Sequence, residues 1–264
     1  MNKEEQFKKS PLKFYLLLFI ISIPFWIIGS ILDKGLPLPM NLPVSALMFI
    51  CPLIAALILV YKEDKPFGIL LLFKKVFNYK RIKQKIWYVP SFFLMPIIML
   101  MSYGTMRLMR TPISKIHFPF LMIPIFFVMF FISAVAEEAG WMGYAFERTQ
   151  DKGSALKNSI IMGSVWAIWH AVPYIQAHDT LKWIAWQSLF SIAARVLIVW
   201  LYNNTGKSIL PGIFFHTMIN VSWSLFPNYG SYYDPSITGS ITAIIAVIIT
   251  LLWGYKTLAR FRFA

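Results

Sequence analysis

Charged side chains are scarce in this sequence of 264 residues, and so are cysteines. Only 14% of the residues are charged and 58% are hydrophobic, whereas an ordinary soluble domain is about 25% charged and about 45–50% apolar. This composition excludes a water-soluble globule, a disordered chain and a disulfide scaffold. The single cysteine, Cys51, cannot form an internal disulfide or a thiolate metal site.

Several familiar motifs of soluble enzymes are also missing. There is no glycine-rich phosphate loop, no H-E-x-x-H metalloprotease signature, and no serine or cysteine with an evident base beside it. Acidic residues number only 11 against 25 lysines and arginines, which gives a net charge of +14. The basic residues lie between apolar runs, so they favour contact with anionic lipid headgroups over nucleic acid.

Long apolar runs indicate a polytopic membrane protein. A helix needs about 20 residues to cross the hydrocarbon core of a bilayer, and eight runs approach or exceed that length. We therefore predict an all-α bundle of about eight transmembrane helices around a polar cavity, forming one domain over residues 1–264. The predicted spans are Phe14–Leu32, Pro43–Tyr61, Trp87–Met106, Phe118–Phe146, Asn158–Ile175, Lys182–Tyr202, Ser208–Phe226 and Ser236–Tyr255. A shorter run, Pro66–Phe73, is expected to lie at the membrane interface or in a loop.

The distribution of lysine and arginine predicts the orientation. The two termini and the even-numbered loops carry 19 of these residues and the odd-numbered loops carry 5, while Arg195 lies within the sixth span. Because positive charge accumulates on the cytoplasmic side, both termini are expected in the cytoplasm, in a bacterial cell membrane.

Besides Arg195, two glutamates and two histidines lie inside predicted spans, where charge is costly and usually functional. Glu137 and Glu138 are adjacent in the fourth span, His170 is in the fifth and His216 is in the seventh. Counted from the cytoplasmic ends at about 1.5 Å per residue, Glu137, His170 and His216 lie at depths of roughly 15, 18 and 12 Å. Asn220 shares a helix face with His216 at i, i+4 spacing. The sequence therefore predicts one buried polar cluster.

This set of side chains suits hydrolysis of an amide. A carboxylate in apolar surroundings can remove a proton from water, and a histidine can assist it. A second histidine and an asparagine amide can donate hydrogen bonds to an oxyanion. Two histidines and one glutamate also match the ligand types of a catalytic zinc ion. Both chemistries stay open at this point.

Three ordered motifs resemble those of the CPBP family of intramembrane proteases, the type II CAAX prenyl endopeptidases and their bacterial relatives. The family motifs are E-E-x-x-x-R, F-x-x-x-H and H-x-x-x-N/D. The corresponding segments read EEAGWM from Glu137, WAIWH ending at His170, and HTMIN from His216 to Asn220. The resemblance covers about residues 120–225.

The resemblance implies an intramembrane endopeptidase whose substrate is a membrane-associated or prenylated (CAAX-type) peptide. It implies that Glu137, helped by His170, activates water, that His216 and Asn220 stabilise the oxyanion, and that Glu138 orients the first carboxylate. A zinc cofactor is compatible with the resemblance but not required by it.

Two residues depart from the family motifs. Trp166 stands in place of the phenylalanine, and Met142 stands in place of the arginine. A methionine can neither pair with a carboxylate nor donate a hydrogen bond. Arg195 is a possible replacement, and we expect it to pair with Glu138 or Glu137, although its side chain could instead reach the cytoplasmic headgroups.

Two other functions remain open. One is a non-enzymatic relative that confers bacteriocin self-immunity, which the loss of the motif arginine favours. The other is a proton-coupled transporter that uses the buried carboxylates and histidines as a relay, although the sequence lacks the internal repeat common in transporters.

Overall fold

The computed structural model is all-helical in the residues it describes, which are 11–32, 35, 38–40, 42–115, 119–149 and 153–259. Eight α-helices occur there, one for each predicted span. They are α1 (Leu12–Ile31), α2 (Cys51–Val76), α3 (Tyr88–Leu108), α4 (Met122–Gly140), α5 (Ala155–Gln176), α6 (Leu181–Asn204), α7 (Leu210–Ser224) and α8 (Pro235–Trp253). The predicted polytopic helical bundle is confirmed.

Six helical segments in the described residues are long and apolar enough to cross a membrane, rather than the eight predicted. The other two are α5 and α7. Helix α7 has only 15 residues, fewer than the about 20 that a span requires. Helix α5 has 22 residues but includes lysine, asparagine, histidine and glutamine, which lower its hydropathy. These are the two helices that carry the histidines of the predicted cluster.

Helix α6 lies at the centre of the bundle. In its most apolar stretch 72% of the residues are buried, against 22–44% in the other five candidate spans. It packs on α5, α7 and α8, while α4 packs on α2 and α7. The two helices that carry His170 and His216 therefore pack directly on α6, and the helix that carries the two glutamates packs on α7.

Three helix starts follow from local sequence. The side chains of Ser154, Thr180 and Asp234 accept hydrogen bonds from backbone N–H groups in the first turns of α5, α6 and α8. Serine, threonine and aspartate are favoured in this capping position because they satisfy N–H groups that have no partner within the helix. In α8, Pro235 at the first position also suits a helix start.

A kink divides α2. Asp64 and Lys65 leave the helical conformation, and Lys65 has a positive φ of 56°. Helical structure resumes at Pro66, so the short run Pro66–Phe73 is helical rather than a loop. Phe67 and Leu70 on this part are exposed, as they would be at a membrane surface.

Candidate active site

The two adjacent carboxylates lie in the last turn of α4. A single turn of π-helix, Trp141–Ala145, follows directly, and the N–H of Trp141 is directed at the carbonyl groups of both Glu137 and Glu138. Such π-helical turns occur mostly as short insertions and frequently at functional sites. Adjacent residues on a helix differ by about 100° in direction, so the two carboxylates meet different partners.

Glu138 is fully buried and has two charged or polar partners. Nη1 of Arg195 donates to Oε2 at 2.6 Å, and Nδ1 of His216 lies 2.9 Å from Oε1. An ionised carboxylate can only accept hydrogen bonds, so His216 donates from Nδ1. The predicted pairing of Arg195 with one of the two glutamates is confirmed, and the partner is Glu138.

Glu137 is 5% exposed and contacts the fifth helix. Its Oε2 accepts a hydrogen bond from the indole Nε1 of Trp166 at 3.0 Å. The backbone carbonyl of the same tryptophan lies 3.0 Å from Nδ1 of His170. A carbonyl can only accept, so His170 also donates from Nδ1, and its neutral form then has a free electron pair on Nε2.

The side chain of Arg195 is fully buried and contacts residues of α4, of the π-turn after it and of α5. Its guanidinium carbon is 4.4 Å from the ring centre of Trp166 and 5.8 Å from that of Trp141. Gly163 makes room for it, because a Cβ at that position would lie 2.9 Å from Ile192 Cα and 3.2 Å from Arg195 Cβ. The cation is thus held by an ion pair on one side and by an aromatic face on the other.

The accessible side of the cluster is formed by His170 and Asn220. Both are partly exposed, whereas Glu138 and Arg195 are fully buried and His216 is 2% exposed. Asn220 lies one turn beyond His216 on α7, and its amide makes no hydrogen bond within the described part of the chain.

The cluster contains the donor types of a zinc site, among them Nε2 of His170 and of His216 and the carboxylate of Glu137, but the structure does not gather them around one point. Among the described residues, no group of three or more histidine, cysteine, aspartate or glutamate side chains is placed to hold a metal ion. Both oxygens of Glu138 are engaged by Arg195 and His216, and Nδ1 of His170 faces a carbonyl. A catalytic zinc ion needs about three protein ligands and an open position.

The fold and the cluster together define a polytopic helical membrane protein with a buried carboxylate–imidazole site. Residues 119–222 match the family model described as "Type II CAAX prenyl endopeptidase Rce1-like". Over 238 residues the chain is 27% identical to CAAX prenyl protease 2 of Methanococcus maripaludis, covering 83% of this chain and 86% of that protein. The resemblance predicted from the three motifs is confirmed.

The structure brings together most of the residues predicted from the sequence. Glu137, Glu138, His170 and His216 meet in one network, and Asn220 lies beside it. Sequence reasoning noted Trp166 as the residue in place of the motif phenylalanine and missed its hydrogen bond to Glu137. The signal was its position four residues before His170, which places both side chains on one face of α5.

Proposed function

We propose that this protein is an intramembrane endopeptidase that hydrolyses a peptide bond of a membrane-associated or prenylated (CAAX-type) substrate. The observation that carries the proposal is the hydrogen-bonded network of Glu137, Glu138 and His216 around Trp166 and Arg195, with His170 beside it. Buried ionisable residues gathered from three helices are difficult to explain by helix packing alone, because one interhelical hydrogen bond would serve that purpose.

In this proposal Glu137 acts as the general base and His170 assists it. Water gives up a proton to Glu137 while its oxygen bonds to the carbonyl carbon of the scissile amide. The resulting tetrahedral intermediate collapses as the carbon–nitrogen bond breaks, and Glu137 returns the proton to the departing amine. The remaining proton of the water leaves with the new carboxyl group and is released to solvent as that group ionises.

His216 and Asn220 are proposed to stabilise the oxyanion. The side-chain amide of Asn220 can donate a hydrogen bond without any change in its protonation. His216 already donates from Nδ1 to Glu138, so donation from Nε2 requires the doubly protonated imidazolium. The nearby Glu138 carboxylate stabilises that cation, and the charges of two glutamates, Arg195 and His216 then balance. A neutral His216 would instead act as a base through Nε2, as in other carboxylate–histidine pairs.

Peptide hydrolysis by purified protein tests the proposal. We expect wild type in detergent to cleave at least one member of a panel of prenylated and unprenylated peptides. Glu137→Gln removes the base and should lower kcat by about 10²–10⁴-fold, and His216→Ala should lower it by about 10²–10³-fold. Glu147→Gln is the matched control, because Glu147 pairs with Lys75 outside the cluster and its variant should keep activity.

The same preparation distinguishes the other functions. If wild type cleaves no peptide and bacteriocin immunity survives Glu137→Gln, the non-enzymatic function favoured by Met142 replaces the proposal. Proton uptake coupled to a solute in liposomes would instead indicate a transporter. Metal analysis, together with activity before and after chelation, tests the zinc-dependent form of the reaction.

A further inference from the structure

Position 142 carries no cation although the family motif has one there. Met142 is fully buried in the apolar core. The motif places its arginine four residues after the second glutamate, and on a helix that spacing brings two side chains to the same face. An arginine at position 142 would therefore approach the Glu138 carboxylate from within α4 and the π-turn that follows it.

Arg195 reaches the same carboxylate from a different helix. It is fully buried on α6, and its Nη1 lies 2.6 Å from Glu138 Oε2. The opposite oxygen of Glu138 accepts the bond from Nδ1 of His216. A buried carboxylate held on one side by a cation can present its other oxygen to an imidazole in one fixed direction.

Trp166 completes this arrangement. Its indole face lies 4.4 Å from the guanidinium of Arg195, while its Nε1 donates to Glu137. Arg195 and Trp166 therefore form a stacked pair in which one member contacts each carboxylate. Trp166 stands where the resembled motif has a phenylalanine, which has no N–H to donate.

We propose that Arg195, stacked on Trp166, is a positioning residue that supplies from α6 the cation the family motif places at position 142. It fixes Glu138 and, through Glu138, the ring of His216 with Nδ1 protonated. The effect on catalysis rests on the function proposed above. The effect on His216 is a property of the site itself and can be measured without turnover.

A relocation of the arginine tests the proposal. Four proteins are compared, namely wild type, Arg195→Met, Met142→Arg and the double variant that carries both substitutions. Arg195→Met removes one of the two partners that hold the Glu138 carboxylate, and we expect kcat to fall about 100-fold with little change in KM, as for a misplaced catalytic group. The kcat of the double variant should be at least tenfold higher than that of Arg195→Met. Met142→Arg alone adds an unpaired buried cation, and its kcat should not exceed that of wild type.

Nitrogen NMR of the histidine rings supplies a readout independent of turnover. The chain has four histidines, so the signals of His216 can be assigned by their loss in His216→Gln. Without Arg195 the buried Glu138 carboxyl is expected to take up a proton and to donate it to Nδ1 of His216. Nδ1 should therefore be protonated in wild type, accept a hydrogen bond in Arg195→Met, and be protonated again in the double variant. Arg195→Lys is the conservative control, because it retains the charge and should retain part of the protonation of Nδ1.

The outcomes separate the two proposals. If wild type cleaves no peptide but the His216 signals follow this pattern, the proposed function fails and the positioning role stands. If the His216 signals and kcat in Arg195→Met equal those of wild type, the positioning role is overturned. Should Arg195→Met fail to fold, recovery of a folded protein in the double variant supports the proposal, and no recovery contradicts it.

Discussion

Trp166 contacts four of the ionisable groups in the cluster. Its ring meets those of His170 and His216 at centroid distances of 5.1 and 5.3 Å, in addition to the hydrogen bond to Glu137 and the stacking on Arg195. Phenylalanine would keep the aromatic contacts but has no N–H. The choice between tryptophan and phenylalanine at position 166 therefore decides whether this residue can donate a hydrogen bond to Glu137.

The substitution Trp166→Phe measures that hydrogen bond. Hydrogen bonds to charged groups contribute about 1.5–3 kcal/mol, so we expect the free energy of unfolding to fall by about that amount. Trp200→Phe is the matched control, because the Nε1 of Trp200 is buried and has no hydrogen-bond partner among the residues that the structure describes. Thermal unfolding of both variants in the same detergent gives the difference. Equal losses would show that the Glu137 bond contributes nothing to stability.

Asp179, in the connection between α5 and α6, makes stability depend on pH. Burial raises the pKa of this carboxyl from 3.8 to about 6. The folded state therefore holds the proton more tightly than the unfolded state, and stability falls as pH rises from about 4 through about 6.

The variant Asp179→Asn removes this titration. It should be more stable than wild type at pH 8, and the difference should vanish near pH 4. Because the side chain is only half-buried, we expect about 1 kcal/mol, which corresponds to a rise in Tm of about 2–4 °C. Melting curves at the two pH values check this, and a difference independent of pH would contradict it.

The meeting of the four ionisable residues could be predicted because such residues are rare in apolar runs and their depths in the membrane agreed. Which of Glu137 and Glu138 pairs with Arg195 could not be predicted from the sequence. The two carboxylates are adjacent in sequence but point about 100° apart. Only the tertiary position of α6, which is set by its packing on α5, α7 and α8, decides which of them faces the guanidinium.

At the scale of elements, the end of α4 is held against the start of α2. A Cβ on Gly140 would overlap the backbone carbonyl group of Pro52. Backbone cannot move aside as a flexible side chain can, so only glycine permits this approach. The contact lies two residues beyond Glu138 and fixes the depth at which both carboxylates sit.

The substitution Gly140→Ala should separate the two helices and disturb the site. We expect a loss of about 1–3 kcal/mol in unfolding free energy, typical of overpacking, together with reduced hydrolysis. Gly104→Ala in α3 is the control, because a Cβ there meets no atom of the described part of the chain within 4 Å. That variant should be neutral or more stable by up to about 1 kcal/mol. The opposite ranking of the two variants would refute this account.

The existence and order of the helices followed from hydropathy, whereas their irregular parts did not. The π-turn at Trp141–Ala145 has no pattern in the sequence that distinguishes it from α-helix. The shortness of α7 was also missed, because the apolar run Ser208–Phe226 continues beyond both helix ends. Turn geometry and tertiary packing, rather than hydropathy, set these boundaries.

At the scale of the whole molecule, we propose that both termini lie in the cytoplasm, as the distribution of lysine and arginine predicts. Cys51 is buried and is the one cysteine of the chain, so Cys51→Ala gives a background without thiols. In intact bacterial cells, a membrane-impermeant maleimide should label Tyr232→Cys in the α7–α8 connection. It should label Lys80→Cys only after permeabilisation, and the reverse pattern would invert the orientation.

Because Glu138 is paired with Arg195, the end of α4 depends on the later insertion of α6 into the membrane. The two residues are 57 positions apart, so the ribosome delivers the carboxylate to the membrane well before its counter-ion. Until α6 is inserted, the end of α4 holds a charge that apolar surroundings disfavour. Nascent chains that stop ahead of α6 should therefore be retained by chaperones or degraded, and the first five helices should not accumulate as an independent membrane fragment.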